Sequence, residues 1–496
     1  MSGDQSSAGE PRAGSAHGAM DINEIFRSGG RSVEFLDRIN MASIVMLDET
    51  AIVPREIAAN IARGIARVLH EERITPPRRS ADYLDYEPRL LAVTGAEGSR
   101  LHTGRSRQDI ASTIARMNLR DGVLSAFDAL WLARSKLLEV AGRHTRSIIP
   151  AYTHGVQAQP TTFAHYLLAF EAAMQRQGER LRQAYGRINC CPLGAAALAT
   201  SSFPLDRGRL AQLLGFEGLV ENAYDANHLA PIDAFLDVAA ALAVAAVQIG
   251  QFAQDVHAQY DDPKPWLVLA TGSLTGVSSI MPQKRNPAAL EQLRVQASIL
   301  LGEMQAVFLL AHNVRTGMFD YRMYDPVPCA RALQVLKLFQ QVVGGIVVDE
   351  ERAAAEVRAD YSTTTEIADA LLQRAAVPFR IGHHFASRLT DYGRSHGLKL
   401  DEIAFADVES IYRKEAEQPF PLSEAEFRQV ISAEYMVYGR RGRGGPQLDE
   451  VNRMLAAAHA ALQADSGWLA QCNVSLDRSA ADLDAAFGAL TAAEGS

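Results

Sequence analysis

A chain of 496 residues with a formal net charge of −9 and four cysteines exceeds one small core and is expected to divide into two or three structural parts. The negative balance excludes a general nucleic-acid binder and leaves room only for local basic pockets. Cys190, Cys191, Cys329 and Cys472 share no CxxC spacing, so they frame neither a metal site nor a disulfide scaffold and read as packing thiols of a reducing, cytoplasmic compartment.

Apolar residues make up 48% of the chain and aromatic ones only 7%, a balance that favours helices over β sandwiches. Residues 1–20 read as a polar, disordered extension without the apolar core of a secretory signal. Residues 21–106 read as an N-terminal helical domain of shorter helices and loops that ends in the basic segment Leu101–Arg107. Residues 107–355 form a central long-helix domain. Apolar positions from Ile110 to Val140 predict one helix over 107–145, and three more are predicted over Thr161–Ile188, Ile232–Tyr260 and Pro287–His312. Helices of this length arrange as an extended bundle. Residues 356–496 read as a C-terminal helical domain broken at Val377-Pro378 and Gly442–Pro446.

The resulting fold class is all-α. The apolar window Val238–Gln254 is short, carries Gln248, Gln251 and Gln254, and lies between Asp237 and Asp255, so it reads as a buried bundle helix and no membrane is expected. No internal repeat or βαβ alternation is present, and GRRGRGG at Gly439–Gly445 lacks the context of a phosphate loop.

Three segments carry chemistry. In LHTGRSRQD, Arg105 and Arg107 flank Ser106 just before the helix that starts near Gln108. Arginine forks and helix N-termini both hold carboxylates or phosphates; the plain alternative is a capped helix with exposed arginines. In AYTHGVQAQP, Thr153, His154, Gln157 and Gln159 place a hydroxyl, an imidazole and two amides ahead of another helix. The plain reading of such a histidine is a structural hydrogen-bonding group.

In TGSLTGVSSIMPQKRNP, residues 271–287, two glycines permit motion and Pro287 suits a first helical turn, so residues 271–286 form a candidate lid. Lys284 and Asn286 can hold a carboxylate. Ser278 or Ser279 becomes a base only if lysine and backbone donors stabilise its alkoxide. The alternative is an ordinary glycine-rich loop with a helix cap.

GVSSIMPQKRNP resembles the GSSxMPxKxNP signature of the aspartase/fumarase superfamily, with Val277 at the first glycine. LHTGRSRQD is similar to HTGRSRND, YTHGVQAQP to YTHLQxAQP, CPLGAAALA to PLGSGAxA and VPFRIGHH to VPFRxAH, all segments of the argininosuccinate lyase family. The resemblance spans residues 80 to 450. It implies a three-part subunit with a central bundle, and a homotetramer that joins its bundles into a twenty-helix core and shares each active site between subunits. The implied reaction is anti β-elimination of fumarate from an N-substituted L-aspartate, without metal or organic cofactor. By motif position Ser278 is the base, with Ser279 beside it as second candidate. Lys284 and Asn286 bind the carboxylate that takes up charge. Ser106, Arg107 and Gln108 bind substrate, together with Gln159. Thr153 and His154 match the leaving-group end, and either could deliver the proton.

Departures from the family mark the amine end of a dicarboxylate-containing small-molecule substrate. Gln108 replaces an asparagine and Val156 a glutamine. Over Arg315–Asp325, RTGMFDYRMYD stands where the family has STYNKDLQEDK, which puts Gly317 at the tyrosine and Arg322 at the glutamine, while Tyr83 and Tyr86 occupy the histidine and asparagine of IHTANERRL. Altered polar partners change recognition. Two substrates therefore stay open, argininosuccinate itself and an aminopolycarboxylic acid such as ethylenediamine disuccinate, whose extra carboxylate Arg322 would meet. A reading of another class is a catalytically silent, crystallin-like structural homologue.

Overall fold

The structure, a computed structural model, describes residues 31–74, 79–318 and 328–493. The N-terminal helices are α1 (Ser32–Glu49), α2 (Arg55–Ile74) and α3 (Tyr83–Thr94). The long α4 (Arg107–Arg143) leads into a β1–β2 hairpin (Ile148–Thr153 and Val156–Thr162) and α5 (Phe163–Ile188). After β3 (Cys190–Cys191), α6 (Arg207–Leu213), β4 (Gly218–Leu219) and α7 (Ala223–His228) comes α8 (Ala230–Ala258). Next are β5 (Leu267–Leu269), the β6–β7 pair (Gly276–Val277 and Arg285–Asn286), α9 (Ala288–Ala311), α10 (Pro328–Gly344) and β8 (Ile346–Val348). The last helices are α11 (Glu350–Ala359), α12 (Thr364–Ala375), α13 (Phe379–His396), α14 (Phe405–Ala416), α15 (Glu424–Val430), α16 (Ala433–Tyr438) and α17 (Leu448–Thr491).

The chain is thus all-α in its framework, and the four long helices read from apolar spacing are α4, α5, α8 and α9. Local chemistry sets their ends. Ser106 caps α4 by accepting the Gln108 N–H, while Asp109 accepts the Ser106 N–H at 2.7 Å, a reciprocal capping box. Pro287 is the cap residue before α9 (φ −78°, ψ 61°), one position earlier than expected. α12 ends on a left-handed Ala376, and the next residue, Val377, is disfavoured in the helical region because it precedes Pro378.

Two helices tie the parts together. The first turns of α4 bury Ile110, Ile114 and Met117 in an N-terminal core with Phe35, Ile39, Ile61 and Leu90, and the rest of α4 buries Val123, Phe127, Leu130 and Leu137 in the bundle core. α17 runs antiparallel to it, with Val451, Leu462 and Cys472 in the bundle and Leu483, Phe487 and Leu490 in the N-terminal core. Residues 361–431 close a third core around Phe385, Tyr412, Phe420 and Phe427. The segment from 356 to the end therefore contributes to all three cores.

By length and composition alone α8 and α9 could each cross a membrane. In the fold, α8 instead buries Val238, Leu242, Ile249, Phe252 and Val256 against the bundle, as read for the Val238–Gln254 window. The cysteines are all free thiols, and burial pushes Cys191 and Cys329 up to about 12, which suits packing rather than reactivity.

Candidate active site

The serine-rich segment folds as a tight excursion from the bundle. Gly276 pairs with Asn286 and Val277 with Arg285, so residues 278–284 form the loop of a two-residue ladder. The Leu274 carbonyl accepts the Ala289 N–H at 3.1 Å and fixes the ladder to the start of α9. Within the loop, Ser278 Oγ accepts the N–H of Met281 at 3.1 Å and that of Ile280 at 3.4 Å. Backbone donors aimed at that oxygen favour its negative form. Ser279 is exposed and makes no such bond, and among the described residues the Lys284 ammonium has no ion-pair partner. Val277 and Ile280 are 77% and 81% exposed, an apolar face turned outwards.

Thr153 and His154 occupy the tip of the β1–β2 hairpin rather than the loop before a helix. His154 and Gly155 both have positive φ, 55° and 75°, the pairing that a two-residue hairpin turn needs. Both residues are exposed. Gln157 and Gln159 leave the same strand towards the C-terminal helices. Gln157 Nε2 donates to Ser362 Oγ at 3.2 Å and to the Val357 carbonyl at 3.4 Å, and Gln159 Nε2 donates to Thr365 Oγ1 at 3.3 Å, at the rim of a cavity of about 520 Å³. These amides anchor the hairpin.

The third segment is built around the α4 cap. Arg107 is forked onto Asp82: Nε donates to Oδ1 at 2.8 Å and Nη2 to Oδ2, with Asp82 almost fully buried and Arg107 partly exposed. Arg105 is not the exposed arginine of the plain reading. It is buried, donates from Nη1 to Asn40 Oδ1 (2.9 Å) and Ser43 Oγ (3.1 Å), and lies 4.8 Å from the centre of the Tyr83 ring. Tyr83 stacks on His102 at 4.4 Å; burial and then the Arg105 charge push that imidazole down to about 4. Tyr83 and Tyr86, expected to rebuild the amine end, are buried at 1% and 0% exposure. Large rings in a helix that faces the N-terminal core turn inwards.

No hydrogen bond or ion pair among the described residues joins these three segments within one chain. Arg322 lies outside the described residues.

Residues 69–302 match the lyase family model, and residues 361–438 match the model of the argininosuccinate lyase C-terminal region. Argininosuccinate lyase of Synechococcus sp. (strain JA-3-3Ab) is 33% identical over 440 residues, which are 86% of each chain. The chain belongs to the argininosuccinate lyase family. Argininosuccinate lyase 2 of Agrobacterium fabrum (strain C58) is 32% identical over 476 residues, 93% of each chain. The crystal structure of EDDS lyase in complex with formate superposes with a TM-score of 0.86 at 27% identity, over 95% of this chain and 93% of that one. A fumarate lyase from Mesorhizobium sp. BNC1, 18% identical with a TM-score of 0.69, shares the fold.

As a member of the argininosuccinate lyase family the chain is a carbon–nitrogen lyase. One partner escaped the sequence reading. Asp82 stands where the family segment IHTANERRL has isoleucine, and its only local signal is that of a helix cap: Oδ1 also accepts the Leu84 N–H at 3.0 Å.

Proposed function

We propose that the protein removes fumarate from an N-substituted L-aspartate by anti β-elimination, with Ser278 as the base. The observation that carries this is the pair of backbone donors on Ser278 Oγ, since an unassisted serine hydroxyl is too weak an acid to ionise near neutrality. Ser278 takes the Cβ proton and the adjacent carboxylate becomes an aci-carboxylate, held by Lys284 and Asn286. The Cα–N bond then breaks, and Thr153 or His154 passes a proton to the departing amine. Ser106, Arg107 and Gln108 bind the succinyl carboxylates.

Each of these segments lies open in the single chain, and the bundle leaves apolar side chains uncovered: Val244 and Val247 on α8, and Val295, Ile299, Phe308 and Leu309 on α9. Contiguous apolar faces of this kind seek a partner. A cytoplasmic homotetramer whose active sites combine segments from different subunits accounts for both features. Argininosuccinate, and with it arginine biosynthesis, is the first substrate reading. Arg322, at the family's glutamine position, together with the likeness to EDDS lyase, favours an aminopolycarboxylic acid as the second. Following fumarate by its ultraviolet absorbance with argininosuccinate and a panel of N-substituted aspartates decides between them. Fast turnover of argininosuccinate alone would rule out the second reading, and no fumarate from any of them would rule out both.

Asp82 provides a test of the binding segment. Asp82→Ser keeps a capping oxygen for Leu84 but frees Arg107 from its fork. KM is expected to rise about tenfold, the scale of one hydrogen bond to a charged group, with kcat and melting temperature near the parent's. An unchanged KM would mean that Asp82 does not position Arg107 for substrate.

A further inference from the structure

Two of the positions that depart from the family meet at one short element, α7. Gln108 sends Nε2 to the backbone carbonyl of Asn227 at 3.2 Å. Gly317, which takes the family's tyrosine position, lies flush against His228. A Cβ at residue 317 would come within 3.0 Å of the imidazole Cδ2 and Nε2, and its φ of +82° is one that side chains rarely adopt. The preceding Thr316 hydroxyl meets the Tyr224 hydroxyl at 2.7 Å.

Inside α7 the two rings are fixed to each other. His228 stacks on Tyr224 with centroids 4.3 Å apart and planes 13° from parallel, and its Nδ1 donates to the Tyr224 carbonyl at 2.9 Å. His228 is buried, whereas Tyr224 is 41% exposed. A tyrosine at 317 would be strained and would crowd the stacked His228. Where the family segment carries a tyrosine this chain has glycine, and it presents an aromatic side chain from a different element, one residue contact away from the segment Ser106–Gln108.

We propose that Tyr224, oriented by His228 and Thr316, is the specificity-determining contact for the amine end of the substrate, and that it favours an amine carrying positive charge. This rests on the assignment of Ser106–Gln108 to substrate binding. The ring supplies a face that attracts cations. Two carboxylates lie close by, Asp225 in α7 and Asp233 in α8, where burial and then Asp225 and Asp237 raise the Asp233 carboxyl, while Asp237 itself is ion-paired with Arg187. The Arg116 guanidinium lies behind them, buried, with its N–H groups donated to the carbonyls of Arg187, Ile188 and Ala230.

The test compares the full-length parent with Tyr224→Ala and Tyr224→Phe. It measures kcat/KM for argininosuccinate and for an N-alkyl aspartate with an uncharged alkyl group, and the inhibition constant of succinate as a probe of the succinyl end. Tyr224→Ala is expected to reduce the preference for the charged amine by roughly tenfold, while succinate inhibition stays within about twofold. Tyr224→Phe should retain most of the preference, because the ring face remains. An unchanged preference in Tyr224→Ala would overturn the assignment, as would a succinate constant that rises in step with KM, which marks general damage to the site. A parent that releases no fumarate from these two or from the wider panel of N-substituted aspartates would instead overturn the elimination reading, and this inference with it, whereas release from the panel but not from argininosuccinate would overturn this inference alone.

Discussion

Replacing Ser278 by alanine is expected to lower kcat by about 10²–10⁴-fold, the usual contribution of a positioned general base. The loss should fall on kcat, because the proton leaves Cβ only in the transition state and uniform binding of substrate does not involve the hydroxyl. Structure should survive the change. The β6–β7 ladder is made by Gly276, Val277, Arg285 and Asn286. The Ile280 and Met281 N–H groups that lose Ser278 Oγ belong to exposed residues and can turn to water, so stability should move by no more than about 0.5 kcal/mol. Ser279→Ala is the control. Its hydroxyl accepts no backbone donor in the loop, and its activity should stay near the parent's. Steady-state kinetics with melting curves on both variants decide the matter: full activity in Ser278→Ala with loss in Ser279→Ala would transfer the role to the neighbour.

The long helices were legible because apolar residues repeat over many turns and because Ser106 and Pro287 announce where α4 and α9 begin. The β1–β2 hairpin was not. Its strands alternate weakly, and its turn depends on His154 accepting a left-handed conformation that glycine takes more readily. The residues of the candidate site could be listed by type and order, whereas their partners could not. Gln159 reaches Thr365, 206 positions away, and Tyr224 meets Thr316 at a separation of 92. Local pattern carries no trace of such pairs. The departures at Gln108 and Gly317 could be read singly from sequence, but only the fold brings them to α7. The same limit applies to Tyr83 and Tyr86, which stand at the family's histidine and asparagine and which the fold buries, Tyr83 against Arg105 and Tyr86 against Arg79.

The largest effect on stability is expected where α4, α5 and α17 are joined by buried charge. Arg134, 1% exposed, donates from Nε to Glu171 Oε1 at 2.9 Å and from Nη1 to Asp465 Oδ2 at 2.5 Å. Asp465 also accepts from Arg182 at 3.0 Å, and that guanidinium lies over the Trp468 ring. Arg134→Met leaves Glu171 as an isolated buried carboxylate and should destabilise the fold by about 3–5 kcal/mol, the range for breaking one side of a buried ion pair. Glu171 is already raised by burial, against the opposing pull of Arg134. Without the arginine it should rise further. A carboxyl raised in the folded state contributes stability below its unfolded pKa and loses it as pH rises through the folded value. The deficit of Arg134→Met should therefore be small near pH 4.5 and grow towards neutrality. Replacing the whole set, Arg134→Met with Glu171→Leu and Asp465→Leu, should recover most of the loss, since apolar groups of similar volume remove the desolvation penalty and Arg182, 40% exposed, can turn to water. Denaturant titrations of the three proteins across pH provide the measurement. A single replacement that is neutral at pH 7, or a triple replacement no better than the single, would show that α17 is held to the bundle by its apolar face alone.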